Sequence, residues 1–181
     1  MAHHHPPMDL LLEHAAGALP VAQSACVAAH LSYCQRCRQL VDRLEDVGGA
    51  HLERLDPQPV GESVLESVMA RLDDPEPLRY APNEVSDTQL PGLLDRLING
   101  NYADLAWKSV TQSLSISYLK TGDPNHEFAL YRIAEGGRIP EHTHGGSEMT
   151  LVLRGGFADE SGEYHPGDFL VREGWDKHTP V

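Results

Sequence analysis

Hydrophobic positions divide the chain into a front part with helical periodicity and a rear part with strand-like runs. The stretch LLLEHAAGAL at 10–19 has a leucine-alanine face and stops before a proline. Residues 21–47 continue with apolar side chains at helical spacing, and the glycine pair at 48–49 is expected to end that run. A further helix is predicted over residues 60–72. Its apolar residues share one stripe: Val60, Val64, Leu65, Val68, Met69 and Leu72.

The pattern changes after residue 72. Residues 73–92 contain four prolines and many acidic side chains without periodicity, which is typical of a linker. Beyond a short helix near 91–99, short apolar runs separated by turn residues indicate strands. These runs are WKSV, LSISYL, FALYRI, MTLVL and DFLV. We therefore predict an α+β chain: an all-α module at 1–72, a linker at 73–92, and an antiparallel β-sandwich or barrel domain at 93–181.

Charge and cysteine usage narrow the functional class. The 181-residue chain carries 14 basic and 27 acidic residues, a net charge of −13. Such a surface repels phosphate backbones and disfavours direct nucleic-acid binding, although it would attract a basic protein partner. Solubility alone is an equally simple reason for the acidity. The chain has three cysteines, and it has neither a positively charged leader nor an apolar run near the ~20 residues of a membrane span. These features predict a cytoplasmic protein, in which thiols stay reduced.

The stretch HLSYCQRC at 30–37 contains a first set of candidate metal ligands. If these residues form one continuous helix, His30, Cys34 and Cys37 lie within about 60° of one another on one face. Thiolate and imidazole together are the donors that zinc prefers, and a structural zinc site needs four of them. The histidines at 3–5 are the nearest source of a fourth ligand, whether they are native or the remnant of a purification tag. A redox pair and buried core thiols are the alternatives.

A second ligand set follows the spacing of the cupin motif, G-x5-H-x-H-x3-E-x6-G. It starts at Gly136 and supplies His142, His144 and Glu148 before it closes at Gly155. Two histidines at i and i+2 point to the same side of a strand, and a Gly-Gly turn lets the next strand present the carboxylate beside them. The alternative is a barrel whose histidines are buried polar residues without a metal.

A last cupin histidine is expected at His178, at the correct distance from Gly167. The surrounding motif departs from the usual pattern, because Glu173 stands where a proline is common and Trp175 where a glycine is common. The chain also ends three residues after His178, before the strand that would complete a barrel. Nitrogen and oxygen donors of this kind suit zinc, iron, manganese or nickel.

Together these motifs resemble the ChrR-type cupin anti-sigma factors, in which a zinc-binding anti-sigma domain precedes a jelly-roll-like cupin barrel. The resemblance implies a helical-domain zinc on His5, His30, Cys34 and Cys37, and a zinc or another divalent transition metal on the four cupin residues above. It also implies a partner, an extracytoplasmic-function sigma factor that the helical domain inhibits. The cupin domain would sense oxidative stress such as singlet oxygen or organic peroxide.

Cys26 and His14 match no ligand position. Cys26 is expected to be a core thiol, and His14 a surface or partner-facing side chain. The competing interpretation is a metal-dependent cupin enzyme, an oxygenase or isomerase, with an accessory helical zinc module. No acid–base constellation stands out around the cupin motif, so a regulatory protein without enzymatic activity is favoured. Sigma-contact residues do not follow from the pattern.

Overall fold

The computed structural model describes residues 2–61, 63–72, 90–98, 102–143 and 145–181. The front part is helical, as predicted, and contains four helices in the described residues. They are α1 (Met8–Ala15), α2 (Val21–Leu31), α3 (Gln35–Leu52) and α4 (Ser63–Leu72). Helix α1 ends where Gly17 adopts a φ of 66°, a left-handed conformation that suits glycine at a helix C-terminus. Most of the predicted linker, 73–89, lies outside the described residues.

Two details of the predicted helices are wrong. Residues 21–47 are not one helix, because the chain leaves the helical conformation at 32–34 between α2 and α3. The glycine pair at 48–49 does not end the run, since α3 continues to Leu52. Glycine inside a helix costs only about 1 kcal/mol relative to alanine, and the ends of a helix follow from packing and capping as well.

The rear part contains a short helix and seven strands in the described residues. Helix α5 (Gly92–Leu97) and a 3₁₀ turn (Tyr102–Asp104) precede them. The strands are β1 (Lys108–Ser109), β2 (Leu114–Tyr118), β3 (Ala129–Ile133), β4 (Glu148–Leu151), β5 (Phe157–Asp159), β6 (Gly162–Tyr164) and β7 (Phe169–Arg172). Strands β1-β2-β3 form one sheet, while β4 pairs with β7 and β5 with β6. All pairs are antiparallel, which confirms the predicted α+β class.

The C-terminal residues lie against the earlier strands. Val181 and Ala158 exchange two backbone hydrogen bonds of 2.9 and 3.0 Å, and Ile139 N–H donates to the Pro180 carbonyl at 2.9 Å. His178 forms an isolated antiparallel bridge with His142. The sequence pattern did not predict the β5–β6 hairpin, because its strands are only three residues long and alternate weakly.

The helical and β parts share one apolar core. Phe169 of β7 is 2% exposed and belongs to the same buried cluster as the core residues of the helices: Leu11, Cys26, Val27, Cys34, Cys37 and Val41. Helix α2 also packs against α5 and β4. Since a cupin-region side chain fills the helical core, the two parts stabilise each other. Within the described residues, no helix is long and apolar enough to cross a membrane.

Candidate metal centres

The structure brings the four predicted helical-domain ligands together. One donor atom from each of His5, His30, Cys34 and Cys37 lies within 4.8 Å of the other three. His5 Nδ1 is 3.4 Å from Cys34 Sγ and 3.5 Å from Cys37 Sγ. The edges of a tetrahedron around zinc are about 3.3–3.8 Å long for bonds of about 2.0–2.3 Å. The cluster therefore has the number and chemistry of donors that a structural zinc ion takes, and the two His5–sulfur distances match the edge of such a tetrahedron.

The break between α2 and α3 is what places the ligands. His30 lies in the last turn of α2, Cys34 caps α3, and Cys37 lies in the first turn of α3. The predicted one-face arrangement on a continuous helix is therefore wrong, although the four predicted residues do lie in one cluster. Cys34 Sγ accepts a hydrogen bond from Cys37 N–H at 3.5 Å. A thiolate at this position is stabilised by the positive end of the helix dipole.

The hydrogen bonding of His30 selects its ligand atom. His30 Nδ1 lies 2.8 Å from the carbonyl oxygen of Gly167, and a carbonyl can only accept, so Nδ1 carries the hydrogen. The neutral ring then presents the lone pair of Nε2. Among the described residues this buried Nε2 has no hydrogen-bond partner, although His30 is fully buried. A cation at the cluster would satisfy this nitrogen.

The protonation states of the two histidines favour metal binding. Burial is the main cause that lowers the pKa values of His5 and His30, so both rings are neutral near pH 7 and can donate a lone pair. Burial and the adjacent Cys34 raise the pKa of Cys37 to about 12. The Cys37 thiol does not ionise easily by itself, and a divalent cation would supply the compensating charge.

The cupin set is brought together in part. The rings of His142 and His178 are 4.4 Å apart between centroids, and His178 Nε2 is 4.0 Å from a carboxylate oxygen of Glu148. His178 is buried, whereas the side chain of Glu148 is 24% exposed. His144, the remaining predicted ligand, lies outside the described residues. His178 therefore lies beside both His142 and Glu148, although within the described residues only the helical set brings three or more donor atoms into one metal-type cluster.

The two residues without a predicted ligand role lie outside both centres. Cys26 belongs to the helical core, and burial raises the pKa of its thiol to about 12. His14 is half-buried, and its Nδ1 lies 3.0 Å from the Ser24 hydroxyl, which joins α1 to α2. His14 therefore contacts a second helix, in contrast to the expected surface position.

The sequence pattern missed the residues that join the two parts of the chain. Asp168 accepts hydrogen bonds from the backbone N–H groups of His3 and His4 at 2.5 and 3.0 Å. The Tyr33 hydroxyl donates to the Leu153 carbonyl at 3.2 Å. These partners are separated by more than a hundred residues, and no periodicity or local motif indicates such contacts.

The architecture is that of a helical module, with a His/Cys cluster that could hold a metal ion, joined to a β-rich domain. Residues 96–181 match the family model described as the ChrR cupin-like domain. The chain is 36% identical over 178 residues to the anti-sigma-E factor ChrR of Cereibacter sphaeroides, a match covering 98% of this chain and 83% of the relative. This chain belongs to the ChrR family of anti-sigma factors.

A solved structure supports the same assignment. The crystal structure of Rhodobacter sphaeroides SigE in complex with the anti-sigma ChrR matches the whole chain with a TM-score of 0.86 and 35% identity, covering 92% of the matched chain. Since the relative is named as an anti-sigma factor, a regulatory protein, the expectation that this chain is not an enzyme is supported.

Proposed function

We propose that this chain binds and inhibits an extracytoplasmic-function sigma factor through its helical domain. The observation that carries the proposal is the structural match over the whole chain to an anti-sigma factor seen in complex with a sigma factor. The predicted boundaries at 72 and 92 would separate this helical domain from the cupin domain. The net charge of −13 suits a basic, DNA-binding client.

Helix α4 supplies a surface for that client. Every residue of α4 in the described structure is exposed, including its apolar stripe. The five apolar side chains of the stripe are 45–69% exposed: Val64, Leu65, Val68, Met69 and Leu72. Within the described residues, this stripe is not buried against the first three helices. An apolar helical face of this kind binds in a groove of a partner protein.

The proposed role of the first metal centre is structural. Zinc held by His5, His30, Cys34 and Cys37 would supply folding free energy to a small module and keep its helices in register. Its four donors would complete a tetrahedron around the ion, and three of the four residues are buried. A closed site of this kind stabilises the sigma-binding surface without taking part in chemistry.

The proposed role of the cupin domain is to sense oxidative stress, with singlet oxygen or an organic peroxide as the inducing signal. The metal would be zinc or another divalent transition metal, held by the nitrogen and oxygen donors of His142, His144, Glu148 and His178. On a six-coordinate ion, these four protein donors would leave coordination positions open. Glu148 and His142 are partly exposed, which gives small oxidants access. Oxidation or metal loss at this centre would weaken the hold of the helical domain on the sigma factor.

In vitro transcription with the cognate sigma factor tests the division of labour. The full-length chain is expected to inhibit transcription. Cys37→Ser should abolish inhibition, because it removes a helical zinc ligand. His142→Ala should preserve inhibition but abolish its relief by singlet oxygen or organic peroxide. Metal analysis should show two bound ions in the wild-type chain and one in each variant.

Two results would contradict the proposal. Inhibition that survives Cys37→Ser in a protein shown to lack the helical metal would remove the structural role of zinc. Relief of inhibition that persists unchanged in His142→Ala would place the sensor outside the cupin centre.

A further inference from the structure

The turn that leads into β7 belongs to the cupin-like domain but contacts the metal cluster of the helical domain. Residues 167–169 reach both chain segments that carry the two histidine ligands. The Phe169 ring lies 5.7 Å from the His30 ring in an edge-to-face arrangement. One short turn therefore touches the surroundings of His5 and His30 at the same time.

Asp168 holds the segment that carries His5. Its carboxylate is fully buried and accepts three backbone hydrogen bonds, from His3, His4 and His165 at 2.5, 3.0 and 2.8 Å. Phe169 N–H donates in turn to the His4 carbonyl at 3.1 Å. The backbone of residues 3–4 is thus attached to the cupin-like domain immediately before His5. Without these bonds, a chain terminus is among the most mobile parts of a protein.

Gly167 orients the other histidine. Its carbonyl accepts from His30 Nδ1, which leaves Nε2 directed at the cluster. Gly167 has a φ of 95°, and a Cβ at this position would lie 2.8 Å from Tyr33 Cβ. Glycine is therefore required for the turn to approach the corner between α2 and α3. A metal-binding histidine whose other ring nitrogen donates to a fixed carbonyl is held in one tautomer and orientation.

We propose that the Gly167–Phe169 turn is an outer shell for the helical metal centre, with Asp168 as its positioning residue, so that the cupin-like domain sets the metal affinity of the other domain. This inference rests on the proposed zinc at the helical centre. It makes the cupin-like domain a direct participant in the geometry of the sigma-binding module. A displacement of β7 would then reach the helical ligands through hydrogen bonds alone.

Cobalt substitution of the full-length chain isolates the helical centre. A thiolate-to-cobalt charge-transfer band reports this centre alone, because the cupin set contains no sulfur donor. Zinc competition followed by this band yields the relative affinity. Asp168→Asn keeps the side-chain size but replaces one acceptor oxygen with an NH₂ donor that faces backbone N–H groups. Since outer-shell changes typically weaken metal binding about 10–100-fold, that loss is expected here.

Asp123→Asn is the matched control. The Asp123 carboxylate is also largely buried, at 7% side-chain exposure, and accepts a backbone hydrogen bond from Asn125 at 2.9 Å, within a cupin loop. Its substitution should leave the affinity of the helical centre within about 3-fold. Equal affinities of wild type and Asp168→Asn would overturn the inference. Absence of the charge-transfer band in the wild-type chain would instead overturn the proposed metal.

The reciprocal measurement does not depend on folding of the Asp168 variant. If the turn strengthens metal binding, the metal must strengthen the turn by the same factor. Hydrogen exchange at the Phe169 amide should therefore accelerate by about 10-fold or more in Cys37→Ser relative to the metal-loaded wild type. The Leu119 amide, which donates to the Phe128 carbonyl, should exchange at an unchanged rate. Unchanged protection at Phe169 would refute the coupling.

Discussion

The exposed stripe of α4 allows the sigma-binding contribution of single side chains to be calculated in advance. Leu65 and Leu72 are 69% and 68% exposed, so a partner can bury about two thirds of each. Complete burial of a leucine side chain is worth about 1.5–3 kcal/mol, and two thirds of it about 1–2 kcal/mol. The double substitution Leu65→Ala/Leu72→Ala should therefore cost roughly 2–4 kcal/mol of binding free energy, or a Kd about 30- to 1,000-fold higher.

The same substitution should leave the free protein intact. Alanine has a higher helix propensity than leucine, and exposed substitutions usually change the free energy of unfolding by less than about 0.5 kcal/mol. Isothermal titration with the cognate sigma factor measures the Kd, and circular dichroism checks the fold. Trp175→Ala is the control, since it removes a 78% exposed side chain from the cupin-like domain. A Kd that rises less than about 3-fold in the double variant, or equally in the control, would refute the assignment of α4 as the docking surface.

Three further outcomes follow from burial and pairing. Arg172 pairs with Asp159, whose side chain is fully buried, so Arg172→Ala should lower the free energy of unfolding in urea by about 3–5 kcal/mol. Lys177→Ala breaks an exposed ion pair and should lower the same free energy by less than about 1 kcal/mol. Leu11→Ala, at a 2% exposed core position, should cost about 2–5 kcal/mol in the same assay. Because Cys26 lies in the helical core and burial raises the pKa of its thiol to about 12, mass spectrometry after alkylation of the native chain at pH 8 should find Cys26 unmodified; its modification without unfolding would contradict the buried position.

The sequence could indicate most members of the two candidate ligand sets because their motifs are local, whereas His5 and His178 lie outside those stretches. His30, Cys34 and Cys37 lie within eight residues, and any compact arrangement of so short a stretch brings them near one another. The cupin motif is local in the same sense, since His142 and Glu148 are six residues apart. In both cases spacing restricts the geometry before the rest of the fold is known.

The sequence was insufficient where the structure depends on distant partners or on weak local preferences. The helix break at 32–34 contains neither glycine nor proline, and residues Ser32 and Tyr33 carry no strong signal for it. Contacts of residues 3–4 with Asp168 join positions about 165 apart in the chain. Such contacts follow from the way β7 packs on α2, which no periodicity records.

The two ligand sets differ in access as well as in chemistry, and this difference explains why one chain would need both. In the helical set, His30, Cys34 and Cys37 are at most 5% exposed, and His5 is partly exposed. An oxidant therefore has little access to the two sulfur atoms in the folded chain. The cupin set has partly exposed members and no sulfur donor, so it can meet a reactive molecule while the fold remains intact. A signal received at Glu148 on β4 is one strand away from β7, since Glu148 pairs directly with Arg172. One path from the accessible centre to the closed one therefore runs along β7 to Phe169 and Asp168, beside the direct contact of β4 with α2.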